Sequence, residues 1–291
     1  MAQLKGHILI LGGTGYLGNR LALAAEAVGY RISVFGRRKS AHVEMAETAE
    51  GLRIQEAPSD VDIVVNALAS YGRSGETEAE IFRVNRDLPA AFARFYFEEA
   101  KHQPRLFLNV DTALCDGVSP YSRSKAALRE NLQIHAERGR PIVGIRLDQF
   151  YGPDDAVTKF VTMLVTKFLA HVPKIALSSG LQKRRFIYVD DVVQILMDVV
   201  ERAIKQELSL GSKAVALLPH LGVESTVRDV VLRVQKIASG EGTFLDFGSL
   251  PDRGIETESR HLVSDFEFLE ARSFVGLDEG IAKVCEFERK K

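Results

Sequence analysis

The apolar run His7–Leu11 stops abruptly at Gly12-Gly13-Thr14-Gly15-Tyr16-Leu17-Gly18, and an amphipathic stretch, Asn19–Val28, follows at once. This succession of strand, glycines and helix leaves few folds open. A strand that turns within a few residues into a helix returns parallel to itself, as one βαβ unit. Gly12, Gly15 and Gly18 are spaced GxxGxxG, which suits a turn whose backbone N–H groups and helix N-terminus hold a pyrophosphate. Side chains at Gly12 or Gly15 would block that approach, and Gly18 lets the helix lie close to the strand. Thr14, Tyr16 and Leu17 complete the candidate cofactor loop. In a chain with 23 glycines the spacing alone is a weak signal, and a plain strand-to-helix turn is the alternative. The position between a strand and a helix gives it weight.

The same alternation continues. Strands are expected at His7–Leu11, Arg31–Phe35, Leu52–Gln55, Asp62–Asn66, Arg105–Asn109 and Pro141–Arg146, with helices at Asn19–Val28, Glu78–Ala100 and Ser122–Arg138. Several of these strands are apolar throughout, as in a parallel sheet covered on both faces. The pattern argues for a doubly wound α/β sheet. After Tyr151-Gly152-Pro153 the rhythm changes to a helix near Val157–Ala170, a short strand at Ile175–Leu177, and a strand–helix pair at Phe186–Val189 and Val192–Ile204. The expected organisation is a cofactor domain over residues 1–150, completed by 186–204 and part of 209–220. A smaller substrate lobe would use 151–185 and 221–291. The charge run Glu286–Lys291 reads as a solvated helix end.

Composition removes other classes. Lys and Arg number 38 against 39 Asp and Glu, so no basic excess points to nucleic acid. The two cysteines, Cys115 and Cys285, do not make a disulfide scaffold, and no histidine pair suggests a metal site. The best membrane candidate, Phe160–Val172, is broken by Lys167. The start, MAQLKGHILILGG, has no h-region, so no leader is expected and a cytoplasmic location follows. Aromatics Phe92, Phe95, Tyr96 and Phe97 point round most of one helix, which suggests a partner for a second face and hence a homodimer; complete burial within one chain is the alternative.

Two further constellations carry chemistry. The second strand ends Phe35-Gly36-Arg37-Arg38-Lys39, three cations where a carboxylate would bind the ribose of NAD. Guanidinium forks at Arg37 and Arg38 suit a 2′-phosphate, so the expected cofactor is NADP(H). Pro120-Tyr121-Ser122-Arg123-Ser124-Lys125 contains YxxxK at a helix start, with both side chains on one face. An ammonium near the phenol would lower the Tyr121 pKa from about 10 and make it a general acid or base. Lys125 would also serve the cofactor ribose.

With these residues in view, the chain resembles the extended short-chain dehydrogenase/reductases of the NAD-dependent epimerase/dehydratase type. The resemblance runs from the glycine loop through Val65-Asn66-Ala67-Leu68-Ala69, Val84-Asn85, Tyr121/Lys125, Arg146-Leu147 and Tyr151-Gly152-Pro153. It continues in Lys183-Arg184-Arg185-Phe186-Ile187-Tyr188-Val189-Asp190-Asp191-Val192 and Phe247-Gly248-Ser249-Leu250-Pro251-Asp252-Arg253. It implies a Rossmann-type fold with a C-terminal α/β substrate lobe, and cofactor contacts at Ala67, Ala69 and Asn85. It further implies contacts from Arg184 and Arg253 to the diphosphate of a sugar nucleotide. Leu108–Leu114 and Ser70-Tyr71-Gly72-Arg73 are similar to a smaller branch, the CDP-abequose synthase-like reductases of 4-keto-6-deoxy sugar nucleotides, with Arg73 as a further substrate contact. One departure stands out. Val110 occupies the usual Ser/Thr position, which passes the polar duty to Thr112 or Asp111, with Thr112 preferred.

The expected activity is therefore NADPH-dependent reduction of a nucleotide-activated keto sugar, with Tyr121 as proton donor. The alternatives are a 4-epimerase using bound NAD, a non-catalytic NADP-sensing protein on the same fold, and reduction of a carbonyl compound that carries no nucleotide.

Overall fold

The computed structural model describes residues 5–37, 42–49, 51–208, 210, 215–217, 222–252, 264–269 and 271–291. The chain opens with β1 (His7–Leu11), α1 (Tyr16–Ala27), β2 (Arg31–Phe35), β3 (Glu44–Thr48), β4 (Gly51–Glu56) and β5 (Ile63–Asn66). In the helical segment that follows, α2 (Glu78–Phe82) and α3 (Leu88–Arg94) alternate with π-helical turns at Arg83–Asp87 and Phe95–Glu99. Next come β6 (Leu106–Thr112), α4 (Pro120–Glu137), β7 (Ile142–Leu147), β8 (Gln149–Tyr151), α5 (Phe160–Leu169), β9 (Lys174–Leu177), β10 (Lys183–Tyr188) and α6 (Val189–Ile204). The remainder contains β11 (Val215–Leu217), β12 (Val223–Thr226), α7 (Val227–Ile237), β13 (Phe244–Phe247), a 3-10 turn at Ser264–Leu269 and α8 (Leu277–Arg289).

Two compact units result. The first contains the described residues of Met1–Leu147, Val193–Pro219 and Glu258–Phe268. Its sheet has the order β11-β7-β6-β5-β1-β2, with every neighbouring pair parallel. The strand order reverses between β1 and β5, so the ends of these two strands flank the crevice where open α/β sheets take ligands. Burial explains the continuous apolar runs: β1, β5 and β6 are buried at every position. The strand β4 departs from the expected pattern. It pairs antiparallel with β3 and stands apart from the six-stranded sheet. Its burial alternates, Leu52 and Ile54 facing the core between exposed neighbours, as in a strand with one wet face.

The segment 78–99 also differs from the single helix expected. Each π-helical turn takes up an extra residue and resets the phase of the apolar face. Aromatics that would spread round a regular helix are thereby brought to one side. Phe92, Tyr96 and Phe97 are fully buried within the chain, and Phe95 packs against the same cluster. Tyr96 Oη donates to Pro58 O at 2.9 Å, and the Phe92 ring meets Phe35 edge-on at 5.0 Å. Each such side chain contributes about 1.5–3 kcal/mol of burial. The face expected to await a second copy is occupied from inside, which removes the argument for a dimer.

The second unit contains the described residues of Asp148–Val192, His220–Thr257 and Leu269–Lys291. The segment 186–204, expected to complete the first domain, is divided. Its strand β10 pairs parallel with β8 and antiparallel with β12, and the sixth strand of the parallel sheet is Val215–Leu217, within the stretch 209–220 that was also expected there. The physical reason is local: Asp148 Oδ2 accepts from Arg185 N at 2.9 Å, which draws β10 alongside β8 as the chain leaves β7. Around these strands α5, α7 and α8 bury Leu164, Phe168, Val231, Val234, Ile281 and Val284.

Gly18 is a sharp test of how closely α1 approaches β1. A helical glycine replaced by alanine normally gains about 0.5–1 kcal/mol. Here the added methyl would lie 2.3 Å from Gly12 O, which is backbone and cannot turn away. Gly18→Ala is expected to lose about 1–3 kcal/mol of stability, read as a lower thermal midpoint.

Candidate active site

The glycine loop is built by backbone contacts alone. Gly12 has φ +83°, and a Cβ there would sit 2.9 Å from Ala67 C and O. Gly12 N donates to Phe35 O at 2.7 Å, and Gly15 N to Gly12 O at 2.9 Å. The helix α1 starts at Gly15 with no side-chain cap and no acidic residue in its first turn. Gly15 itself supplies no side-chain cap to these N–H groups, and the cradle fits the pyrophosphate of a dinucleotide. Leu17 and Gly18 are buried, Thr14 and Tyr16 partly exposed. The Arg20 guanidinium covers the Tyr16 ring at 4.1 Å.

Next to this loop the chain leaves β5. Asn66 Nδ2 donates to Asn109 Oδ1 across β5 and β6 at 2.8 Å, and Asn66 Oδ1 accepts from Leu68 N at 3.2 Å. Ala67 and Ala69 lie on the turn that follows, partly exposed and exposed. Asn85, expected to touch the cofactor, has another use. Its Oδ1 accepts from Ser70 N at 2.7 Å, while Nδ2 donates to Ser70 O and to Ser124 Oγ, both at 2.9 Å. Fully buried, it clamps the β5 loop to α4.

The helix α4 begins with a capping box: Ser119 Oγ accepts from Ser122 N, Ser122 Oγ accepts from Ser119 N, and Pro120 is at the first turn. This start puts Tyr121 at the head of the helix, facing the end of β6. That strand runs further than expected and includes Asp111 and Thr112, both buried. Thr112 and Tyr71 are side chains that bear on the Tyr121 phenol, and the Tyr71 and Tyr121 rings lie 4.6 Å apart. Lys125, one helical turn on, is 1% exposed and donates to Leu68 O at 2.9 Å and Val110 O at 3.0 Å.

The electrostatics correct one expectation. Burial, then the neighbouring Tyr71 and Asp111, push the Tyr121 phenol well above its ordinary value, with the Thr112 bond pulling the other way. Lys125, expected to lower it, is not among the groups that set the Tyr121 phenol. Burial in turn pushes Lys125 down to about 8, against the attraction of Asp111. Asp111, expected as a candidate beside Thr112, has both oxygens engaged: Oδ1 accepts from Thr112 N at 2.7 Å and Oδ2 from Arg129 Nη1 at 2.8 Å. Arg129 also pairs with Asp116. Asp111 therefore aims Thr112, whose carbonyl accepts from Arg146 Nε at 2.9 Å.

Other expected residues are dispersed. Arg37 is exposed at the end of β2. Its charge reaches Glu76, whose carboxylate is held low first by its own and the Ser74 backbone N–H groups and lastly by Arg37. Arg73 lies 5.3 Å from the Tyr71 ring centroid. Arg184, on β10 of the second unit, is 9% exposed and donates to Lys183 O at 3.0 Å. Arg38 and Arg253 lie outside the described residues. Sequence reasoning gave no role to Tyr71 or Arg129. Arg129 was detectable, since Tyr121, Lys125 and Arg129 repeat at four-residue spacing on one helix face. Tyr71 carried no such signal, because only the clamped β5 loop brings it to Tyr121.

Comparison with known proteins agrees with this arrangement. The family model "NAD dependent epimerase/dehydratase family" matches residues 8–113 and 99–211. CDP-abequose synthase of Salmonella typhimurium is 22% identical over 276 residues, 88% of this chain and 89% of the relative. UDP-glucose 4-epimerase from Thermotoga maritima, solved with UDP-glucose, superposes with a TM-score of 0.74 at 18% identity, over 98% of this chain and 99% of that one. MoeE5 in complex with UDP-glucuronic acid and NAD gives a TM-score of 0.74 at 20% identity, with the same coverage. These superpositions establish a Rossmann-type fold. Among the described residues no helix is long and apolar enough to cross a membrane.

Lys125 gives the site a pH signature. Its ammonium ionises near 10.5 in an unfolded chain and near 8 in the fold, so the unfolded chain holds that proton more tightly. Folding stability should then rise as pH climbs from about 8 to 10.5, by on the order of 3 kcal/mol. Denaturant midpoints at neutral and alkaline pH will show this rise for the wild type and lose it in Lys125→Met.

Proposed function

This chain belongs to the NAD dependent epimerase/dehydratase family, and on that premise we propose that it is an NADPH-dependent reductase of a nucleotide-activated 4-keto-6-deoxy sugar. The observation that carries the reading is the state of Tyr121. Its phenol is raised well above its ordinary value by burial, so it carries its proton beside Thr112. A protonated phenol suits delivery of a proton to a carbonyl oxygen, whereas oxidation of a sugar hydroxyl would start from a base. The likeness to CDP-abequose synthase over most of both chains supports the substrate class.

When bound, the reduced nicotinamide supplies a hydride to the sugar's carbonyl carbon. Tyr121 gives its proton to the carbonyl oxygen, and the Thr112 hydroxyl hydrogen-bonds that oxygen and fixes its direction. Asp111 and Arg129 keep Thr112 in place. Lys125, anchored on Leu68 O and Val110 O, keeps one N–H for the cofactor ribose. The glycine loop and α1 hold the pyrophosphate, with Ala67 and Ala69 lining the same crevice. Arg37 and Arg38 favour a 2′-phosphate, and Arg73, Arg184 and Arg253 offer guanidinium groups to the sugar nucleotide.

A second reading, a 4-epimerase with bound NAD, draws on Glu76, a carboxylate near Arg37 that could accept from a ribose hydroxyl. The two are separated by following NADPH oxidation with CDP-, UDP-, GDP- and dTDP-linked 4-keto sugars. The expected result is stoichiometric NADPH consumption and a kcat/KM for NADPH above that for NADH. Arg37→Ala should reduce this preference about 10- to 100-fold, one charged hydrogen bond's worth. Tyr121→Phe should lower kcat at least about 100-fold. Interconversion of epimers without cofactor consumption would overturn the reductase reading.

A further inference from the structure

Tyr71 has no part in the reaction as derived so far, yet it touches the group that gives up the proton. Its ring lies 4.6 Å from that of Tyr121, tilted by 33°, and its phenol is one of the groups that raise the Tyr121 phenol. This contact is built in. Asn85 holds both the N–H and the carbonyl of Ser70, the residue before Tyr71, and the same amide donates to Ser124 on α4, the helix that carries Tyr121. On the other side Gly72 has φ +70°, and a Cβ there would lie 2.7 Å from Ile81 Cδ1. The two phenols are thus presented by segments tied to each other through one buried side chain.

We propose that Tyr71 is a second phenol in a proton relay, resupplying Tyr121 as Tyr121 protonates the substrate. The proposal rests on the reading of Tyr121 as proton donor. When hydride adds to the carbonyl carbon, the π pair moves to oxygen and forms an O–H bond with the Tyr121 proton. The O–H bond of Tyr71 then breaks as a new one forms on Tyr121, and the Tyr71 oxygen takes a proton from a solvent water, whose hydroxide is neutralised by the buffer, so the reaction consumes one proton from solution. Tyr71 is partly exposed, which gives that last transfer a route.

The charges around Tyr121 favour such a donor. A phenolate left there would face Asp111 on β6. The cations nearby are engaged elsewhere: Lys125 on two carbonyls, Arg129 on Asp111 and Asp116. Arg73 lies over the Tyr71 ring at 5.3 Å. Glu76 sits on the same loop, bonded to Ser70 Oγ and Ser74 N, and the Arg123–Glu78 pair is exposed.

Tyr71→Phe keeps the ring and removes the hydroxyl. It should lower kcat about 10- to 100-fold with little change in KM. The alkaline limb of the pH profile should move to lower pH, because Tyr71 is one of the neighbours that raise the Tyr121 phenol. Unchanged kcat and an unchanged profile would overturn the relay. A second measurement needs no substrate: near-ultraviolet titration of phenolate absorbance. If the phenols are coupled, Tyr71→Phe brings the Tyr121 ionisation to lower pH, a change absent when Tyr121→Phe is already in place; an unmoved Tyr121 ionisation refutes the pairing. This holds even where no keto sugar is reduced, so failure of the relay and failure of the reductase reading are told apart.

Discussion

Three segments of the chain meet at the backbone of Gly12. Its N–H donates to Phe35 O at the end of β2, its Cα hydrogen faces the Ala67 carbonyl beyond β5, and its own oxygen lies against Gly18 in α1. No side chain fits at any of these contacts. Much of the first unit follows from this crowding. Because α1 is pressed onto β1, its N-terminus opens at the place where β1 and β5 diverge, and the loops after both strands are drawn to the same edge. The β2 end is fastened too, since a Cβ on Gly36 would lie 2.4 Å from Thr14 Oγ1.

From that edge the site is assembled by polar groups taken into the interior, each with named partners. Asn66 and Asn109 bridge two strand ends, Asn85 ties a loop to a helix, and Lys125 bridges two carbonyls. An apolar core would be more stable. The buried Lys125 ammonium is kept against its desolvation, and among the described residues Asn109 Nδ2 has no partner. Such violations of interior chemistry cluster where function is carried. The pair Asp111–Arg129 belongs to the same logic. It is buried on the acid side, and its role is to hold Thr112 in one orientation.

The legible parts of the fold were those where one local rule sufficed. Continuous apolar runs mark β1, β5 and β6 because both sheet faces are covered, and Ser119–Pro120 marks the start of α4 by its capping chemistry. The alternation of Leu52 and Ile54 already indicates a strand with one wet face, yet strand–helix rhythm argued for membership of the parallel sheet. The aromatics at 92–97 mislead for a different reason: regular helical spacing cannot anticipate π-helical turns, which depend on the helix accommodating the core around Phe35 and Phe107. In the candidate site, the shared helix face of Tyr121 and Lys125 was readable from spacing, while Thr112 was named from the family resemblance. The engagement of Asp111 and Asn85 was readable from neither, since both point at groups chosen by packing.

The sequence by itself determined the glycine turn, the parallel strands and the helix that carries Tyr121 and Lys125, because these depend on neighbours a few residues away: φ at Gly12, burial on two faces, an i,i+4 face. Only the tertiary structure decided what surrounds Tyr121. Tyr71, Asp111 and Arg129 arrive on a loop, a strand and a helix distant in sequence, and their distances set the charge felt by the phenol. Desolvation and Coulomb interaction act through space, so the protonation of Tyr121 and Lys125 became visible only once the chain had closed around them.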